Sequence, residues 1–132
     1  MENFTSICRD DGMYNFIKSD GTLLSEEWFL CALNFHGGFA VVSRGYGQWN
    51  IIKSDGTLLS EEWFHYARNF FEGFASVQRK DGLWNFIKPD GSFLSEEWFK
   101  WAGIFENGLA QVQMRNGRWC YLQLDGTLRK NK

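Results

Sequence analysis

The sequence repeats itself at a spacing of 35 residues, and this constrains the fold more than any other feature. A unit of this length is one supersecondary motif that cannot bury an apolar face alone, so neighbouring units must pack together to form a core. We therefore predict a single repeat domain over residues 1–132, made of about 3.75 units. The units are a half repeat, three full repeats and a final partial repeat: 1–11, 12–46, 47–81, 82–116 and 117–132.

Alternation within each repeat predicts β-strands. Over residues 74–79 the side chains alternate with a period of two, which is typical of a strand. Asp-Gly or Asn-Gly pairs tolerate the positive φ of a type I′ turn, so two-residue turns are predicted at Asp11-Gly12, Asp81-Gly82 and Asn116-Gly117. The predicted hairpins cover residues 4–17, 39–52, 74–87 and 109–123.

A third strand is expected between successive hairpins. Side chains alternate again over residues 64–70, where the enrichment in aromatic residues favours a strand. The preceding Ser-Glu-Glu-Trp, which recurs from Ser25, Ser60 and Ser95, is then a tight turn. The alternative is a short helix with the serine as N-cap and the two glutamates in its first turn.

The predicted fold is all-β, a tandem array of antiparallel β-hairpin or meander repeats. We expect an open, twisted stack of these repeats, and a closed pseudo-fourfold ring without edge strands is the alternative. The polar residues 129–132 are typical of the cap of a complete array, and a fragment of a longer repeat protein is the alternative.

Charge and composition exclude several classes of function. The net charge of −2 argues against a strongly basic surface for nucleic acid or anionic lipid. No apolar run is long enough to span a membrane, and the N-terminus lacks the features of a signal peptide. Cys8, Cys31 and Cys120 occupy different positions of the repeat, which predicts free thiols, no zinc site and a soluble, cytoplasmic protein.

No catalytic constellation stands out. His36 and His65 occupy different positions of the repeat, and neither a nucleophile elbow nor a phosphate-binding loop is present. The paired glutamates after Ser25, Ser60 and Ser95 could supply oxygen ligands to calcium, but the residues before them lack the alternating ligands of a calcium loop. Their recurrence favours a turn or cap. We therefore predict no enzyme, no catalytic residues, no metal and no cofactor.

Several motifs match a known family together. Residues 49–56 (WNIIKSDG) and 70–77 (FFEGFASV), with their copies, resemble the bacterial WG-repeat family, also called KWG repeats. The resemblance covers about residues 4–128 and implies a β-rich array with a binding role and no catalytic motif. The chain is a variant, because the tryptophan is followed by Asn50, Asn85 or Cys120 and not by the glycine that names the family.

Positions that vary between repeats indicate where a partner could bind. A repeating frame keeps its structural residues constant, so variable positions with apolar or charged side chains are candidates for the exposed surface. Aromatic residues beside arginine are also typical of binding hot spots. The predicted partner-binding residues are His65, Tyr66, Arg68, Phe71, Lys100 and Trp101.

These observations predict a non-catalytic binding module whose partner is a protein. The alternative is a glycan or cell-wall polysaccharide that stacks on the recurring aromatic column Tyr14, Trp49, Trp84 and Trp119. Residues 117–127 are weakly similar to hairpins of choline-binding and glucan-binding cell-wall repeats, which are shorter, and this keeps the alternative open. Neither nucleic acid nor a membrane is expected, and the sequence does not indicate an oligomeric state.

Overall fold

The computed structural model describes residues 4–130. No helix long and apolar enough to cross a membrane occurs in this part of the chain. Twelve β-strands lie within it: β1 Thr5–Cys8, β2 Tyr14–Ile17, β3 Cys31–Ala32, β4 Phe39–Gly45, β5 Gln48–Lys53, β6 Tyr66–Phe71, β7 Phe74–Gln78, β8 Trp84–Ile87, β9 Trp101–Glu106, β10 Leu109–Gln113, β11 Trp119–Gln123 and β12 Leu128–Lys130.

The strands form four small antiparallel sheets that follow one another along the chain. The first sheet contains β1 and β2, the second β3, β4 and β5, and the third β6, β7 and β8. The fourth contains β9, β10, β11 and β12 in that spatial order. The predicted all-β repeat fold is confirmed, with no sheet of residues 4–130 closed on itself.

The predicted hairpins and the third strand are present. The hairpins are β1–β2, β4–β5, β7–β8 and β10–β11. The third strand forms as β3, β6 and β9, each paired with the first strand of the hairpin that follows it. The Ser-Glu-Glu-Trp segment before it is a bend and not a helix. Because the repeat boundaries fall in hairpin loops, each of these three sheets takes strands from two consecutive repeats.

The chain divides into two compact halves, Met1–Trp63 and Phe64–Lys132. Each half has its own buried cluster. The N-terminal cluster comprises Phe16, Phe29, Ala40, Val42 and Ile52. The C-terminal cluster comprises Trp84, Phe86, Phe99, Ala102, Phe105, Ala110, Val112, Cys120 and Leu122. Of the predicted polar cap, Arg129 is exposed, and residues 131 and 132 lie outside the described residues.

The predicted positions of the type I′ turns are wrong. Only Gly82 of the Asp81-Gly82 pair has a positive φ, and the Arg79 N–H donates to the Leu83 carbonyl at 2.8 Å. The loop is therefore a three-residue one, a type I turn followed by a left-handed glycine. Asp81 stays at negative φ because its Oδ1 accepts a hydrogen bond from the Leu83 N–H at 3.1 Å.

The two-residue turns with positive φ at both positions join the third strand to the hairpin. Glu72 and Gly73 have φ of 52° and 91°, between the paired Phe71 and Phe74. Gly37-Gly38 and Asn107-Gly108 occupy the same place in the neighbouring repeats, also with positive φ. This combination is the signature of a type I′ turn.

A buried asparagine ties each Ser-Glu-Glu bend to the strand before it. The Nδ2 of Asn15 donates to the carbonyls of Ser25 at 2.8 Å and Glu27 at 3.2 Å. Its Oδ1 accepts from the backbone N–H groups of Phe16 at 2.7 Å and Ser25 at 3.3 Å. The side chain is fully buried with both ends of its amide satisfied. The same contacts with the bend carbonyls recur at Asn50 and Asn85.

Candidate binding surface

Two β-bulges shape the candidate surface, which lies in the C-terminal half. In β6, Arg68 and Asn69 together oppose a single residue of β7. In β9, Gly103 and Ile104 oppose a single residue of β10 in the same way. A bulge adds one residue to a strand and changes the direction of its side chains. The two bulges bring Arg68, Gly103 and Ile104 to the lining of one groove.

Arg68 is the central side chain of this surface. Its guanidinium carbon lies 4.3 Å from the centroid of the Trp84 ring and 6.0 Å from that of Trp101. Its Nη1 donates to the Ala102 carbonyl at 2.6 Å and to the Ser76 Oγ at 3.3 Å. These contacts fix the guanidinium, because a stacked cation with two hydrogen bonds has little rotational freedom.

The charge of Arg68 has no carboxylate partner within residues 4–130, where the ion pairs involve Arg9, Arg44 and Arg79. Burial lowers the pKa of the Arg68 guanidinium from its ordinary value. An arginine nevertheless stays protonated at neutral pH. A half-buried cation without a counter-charge is unfavourable, and an anionic group of a ligand would relieve this penalty.

Sequence reasoning missed a second set of arginine–tryptophan stacks. The pairs are Arg9–Trp28, Arg44–Trp63 and Arg79–Trp98, with guanidinium carbons 4.4, 4.0 and 4.1 Å from the ring centroids. The same arginines form ion pairs with Asp11, Glu27 and Asp81, respectively. Their recurrence at the repeat spacing was visible in the sequence. They stack as Arg68 does but are neutralised, which makes them matched controls.

Aromatic rings surround Arg68. The rings of Tyr66 and Trp84 meet edge-to-face with centroids 6.3 Å apart, and those of Trp101 and Trp119 do so at 5.7 Å. Trp84 is only 7% exposed, whereas Tyr66, Trp101 and Trp119 are 41%, 37% and 44% exposed. The surface therefore presents three aromatic side chains to solvent, with Trp84 buried among them.

A groove of about 370 Å³ lies beside Arg68. It is lined by Arg68, Trp101, Gly103, Ile104, Glu106 and Gln111. Gly103 leaves room for the Trp101 ring, because a Cβ at this position would lie 3.2 Å from it. The groove thus offers a cation, an aromatic face, an amide and a single carboxylate, which is a set of groups for binding.

The predicted residues occupy different parts of this surface. Arg68 and Trp101 line the groove, and Tyr66 packs on Trp84, the ring beneath Arg68. Phe71 lies at the other end of β6 and is 38% exposed.

His65 and Lys100 occupy equivalent positions immediately before β6 and β9. Their backbone N–H groups donate to the carbonyls of Gln78 and Gln113, both at 2.8 Å. Trp84 and Trp119 were predicted only as part of the aromatic column of the glycan alternative, and sequence reasoning missed Gly103, Ile104, Glu106 and Gln111 as groove residues. The one available signal was the glycine at position 103, where the preceding repeat has Arg68.

Within the described residues, no group of three or more His, Cys, Asp or Glu side chains is placed to hold a metal ion. Cys8 is exposed, Cys31 is partly buried and Cys120 is buried, and all three are free thiols.

Comparison with family models decides which repeat this is. Residues 64–84 and 86–119 match the model of the WG containing repeat. These residues are WG repeats. Asn85, which lies between the two matched segments, stands where the family has the glycine of its Trp-Gly pair, and its buried side chain binds the bend that follows.

Two solved structures of designed proteins share the fold of this chain. The computationally designed Ika8 protein matches with a TM-score of 0.52 at 14% identity, over 100% of this chain and 46% of Ika8. The computationally designed Ika4 protein matches with a TM-score of 0.50 at 13% identity, over 93% of this chain and 86% of Ika4. This chain thus spans less than half the length of Ika8. At these identities the likeness shows the fold alone. The comparison with curated proteins finds no match.

Proposed function

We propose that this WG-repeat chain is a non-catalytic binding module that holds a partner protein on the surface around Arg68. The observation that carries the proposal is a half-buried guanidinium, stacked on Trp84, with no carboxylate partner among the described residues. A fixed cation next to exposed aromatic rings is the chemistry of a binding hot spot.

The surrounding residues suit a protein interface. Tyr66 and Trp101 supply large, rigid contact area at a small entropy cost, since each has few rotatable bonds. Phe71 adds an exposed apolar ring, and His65 and Lys100 are the polar and basic residues expected at the rim. In this proposal all six predicted residues take part, with Arg68 and Trp101 at the centre.

The proposal extends to cofactors and location. We expect no catalytic step and no cofactor, because binding alone accounts for the groups in the groove. We also propose that the protein acts in the cytoplasm of a bacterium, which the three free thiols support.

Glycan binding is the second candidate, and the exposure of Trp119 and Trp101 favours it. The recurring column cannot act as a continuous platform, because Trp84 is covered. A sugar would have to stack on Trp119 or Trp101. Retention on a cell-wall polysaccharide column that is lost with Trp119→Ala but kept with Arg68→Ala would favour a glycan over a protein.

The test of the proposed function is a comparative capture. The wild-type protein, an Arg68→Ala/Trp101→Ala variant and an Arg79→Ala control are each immobilised, and bound proteins are identified. We expect a protein retained by the wild type and by the control to be lost with the double variant. With the purified partner, calorimetry should show binding weakened by about thirtyfold or more. Equal retention by the double variant, with unchanged thermal unfolding, would contradict the proposal.

A further inference from the structure

We infer that the groove beside Arg68 recognises an acidic side chain, Asp or Glu, within an extended segment of a partner protein, and that Trp101 holds the apolar residue next to it. This inference rests on the proposed protein-binding function and specifies the chemistry that is recognised.

The first argument is the free edge of the guanidinium. The Nη1 of Arg68 bonds to Ala102 and Ser76, while Nε and Nη2 have no acceptor within residues 4–130. A guanidinium presents parallel N–H donors that match the two oxygens of a carboxylate. Because stacking on Trp84 already fixes this fork, a carboxylate can bind it with little further loss of entropy.

The second argument is the contrast with the other stacked arginines. Arg79 lies 4.1 Å from the Trp98 ring and pairs with Asp81 at 2.9 Å. Each comparable stack in the described residues thus has an internal carboxylate, and Arg68 alone has none. An acidic side chain from a partner would give Arg68 the ion pair that the other stacked arginines form within the chain.

The third argument concerns the source of the carboxylate. A free C-terminus is typically captured by a nest of backbone N–H groups, whereas Arg68 offers a side-chain fork. Glu106 lines the same groove and would repel a run of acidic residues. The groove therefore suits one acidic side chain with an apolar neighbour placed against Trp101.

The charged residue of the groove does not recur at the equivalent positions of the neighbouring repeats. Leu33 and Gly103 occupy the positions equivalent to Arg68 in the neighbouring repeats. Arg68 supplies the charge of the groove, and the small Gly103 leaves room for the Trp101 ring that lines it.

The test is a peptide selection on the whole chain. The probe is a displayed library of random eight-residue peptides fused at both ends, so that no free carboxyl terminus is present. We expect the wild-type protein to enrich peptides with one Asp or Glu next to an aromatic or branched apolar residue. The acidic preference should vanish with Arg68→Met and should remain with the control Arg79→Met.

Affinities of an enriched peptide, made with blocked ends, give the decisive measurement. Replacing its acidic residue by the matching amide should weaken binding to the wild type by about tenfold or more. The same replacement should change binding to Arg68→Met by less than about twofold, since the partner of the charge is gone. If Arg68→Met does not fold, Arg68→Gln takes its place, since it removes the charge and keeps a polar side chain, and it should also lose the acidic preference.

The outcomes separate the two proposals. Enriched peptides without an acidic position, or an acidic preference that Arg68→Met retains, overturn this inference and leave protein binding in place. An acidic preference found only in a second library with free carboxyl termini also overturns it, since the source is then a chain end. A wild type that enriches no peptide over an Arg68→Ala/Trp101→Ala variant overturns the inference and the proposed function together.

Discussion

At the scale of single residues, the asparagine after the aromatic column has the clearest structural role. Asn15 makes hydrogen bonds to groups ten and twelve residues further along the chain, and no water is needed to satisfy its amide. A side chain with this role must be both donor and acceptor, which aspartate and leucine are not. This explains why the residue type recurs at a fully buried position.

Asn15→Ala tests this role. The variant leaves two backbone carbonyls and two N–H groups without their partner, so we expect a loss of about 3 kcal/mol in the free energy of unfolding. Urea denaturation followed by tryptophan fluorescence measures it. The control is Asn34→Ala, an exposed position in the same half, for which a change below about 0.5 kcal/mol is expected. Equal denaturation midpoints for the two variants would contradict the role assigned to Asn15.

The exposure of residues that vary between repeats could be predicted from the sequence, whereas the contacts of a recurring residue could not. Phe71, Tyr66 and Trp101 vary between repeats, and all three are exposed as expected. The burial of Trp84 agrees with its recurrence, but its contact with Arg68 does not follow from that, because Arg68 lies in the bulge of β6. The recognition chemistry of the groove is therefore visible only in three dimensions.

At the scale of elements, turn chemistry decides where each strand begins. The sequence predicts the strands well, since alternation and aromatic content agree over β6 and β9. It misplaces the type I′ turns, because Asp-Gly suits both that turn and the three-residue loop with a left-handed glycine. The aspartate side chain selects the second form. In the loop after β5, Asp55 also accepts hydrogen bonds from within its own loop. The hydrogen bond from the Thr57 hydroxyl favours the ionised carboxylate and lowers the pKa of Asp55.

Two glycines in loops with the same hydrogen-bond pattern, at different positions of the repeat, distinguish the need for a positive φ from the effect of close packing. Gly82 and Gly126 have φ of +90° and +87°, so alanine is strained at both. A Cβ at Gly82 meets nothing within 4 Å, but at Gly126 it would lie 2.5 Å from the Leu94 carbonyl oxygen. We expect Gly82→Ala to cost about 1–2 kcal/mol from backbone strain alone.

Gly126→Ala should cost about 3–5 kcal/mol, because the backbone of one loop must move away from the other in addition to the strain. Thermal unfolding of the two variants, compared with the wild type, gives the difference. If both variants lose the same stability, the close approach of these loops contributes nothing and only the backbone conformation matters.

At the scale of the whole molecule, the repeats share one structural frame. They differ at residues whose contacts are not repeated in the neighbouring units. Arg68 and Gly103 occupy the same position of consecutive repeats but differ in residue type, and both line the groove. The proposed binding depends on that difference. Cys120 differs in the same way inside the C-terminal cluster, because it stands at the repeat position where Asn15, Asn50 and Asn85 are buried. Both departures show that a repeat position changes its residue type when the surrounding contacts change.

Cys120→Asn tests this rule at the last repeat. The asparagines bind a Ser-Glu-Glu bend, but after Cys120 the chain forms β12, and Cys120 pairs with Lys130 in the strand ladder. An amide at position 120 would be buried in the C-terminal cluster without the bend carbonyls that satisfy it elsewhere. We therefore expect a loss of about 1–3 kcal/mol, although the variant makes the repeats more alike. Cys120→Val, which keeps the side chain apolar, should stay within about 1 kcal/mol of the wild type. Urea denaturation measures both, and a Cys120→Asn variant as stable as Cys120→Val would show that the recurring asparagine does not depend on its bend.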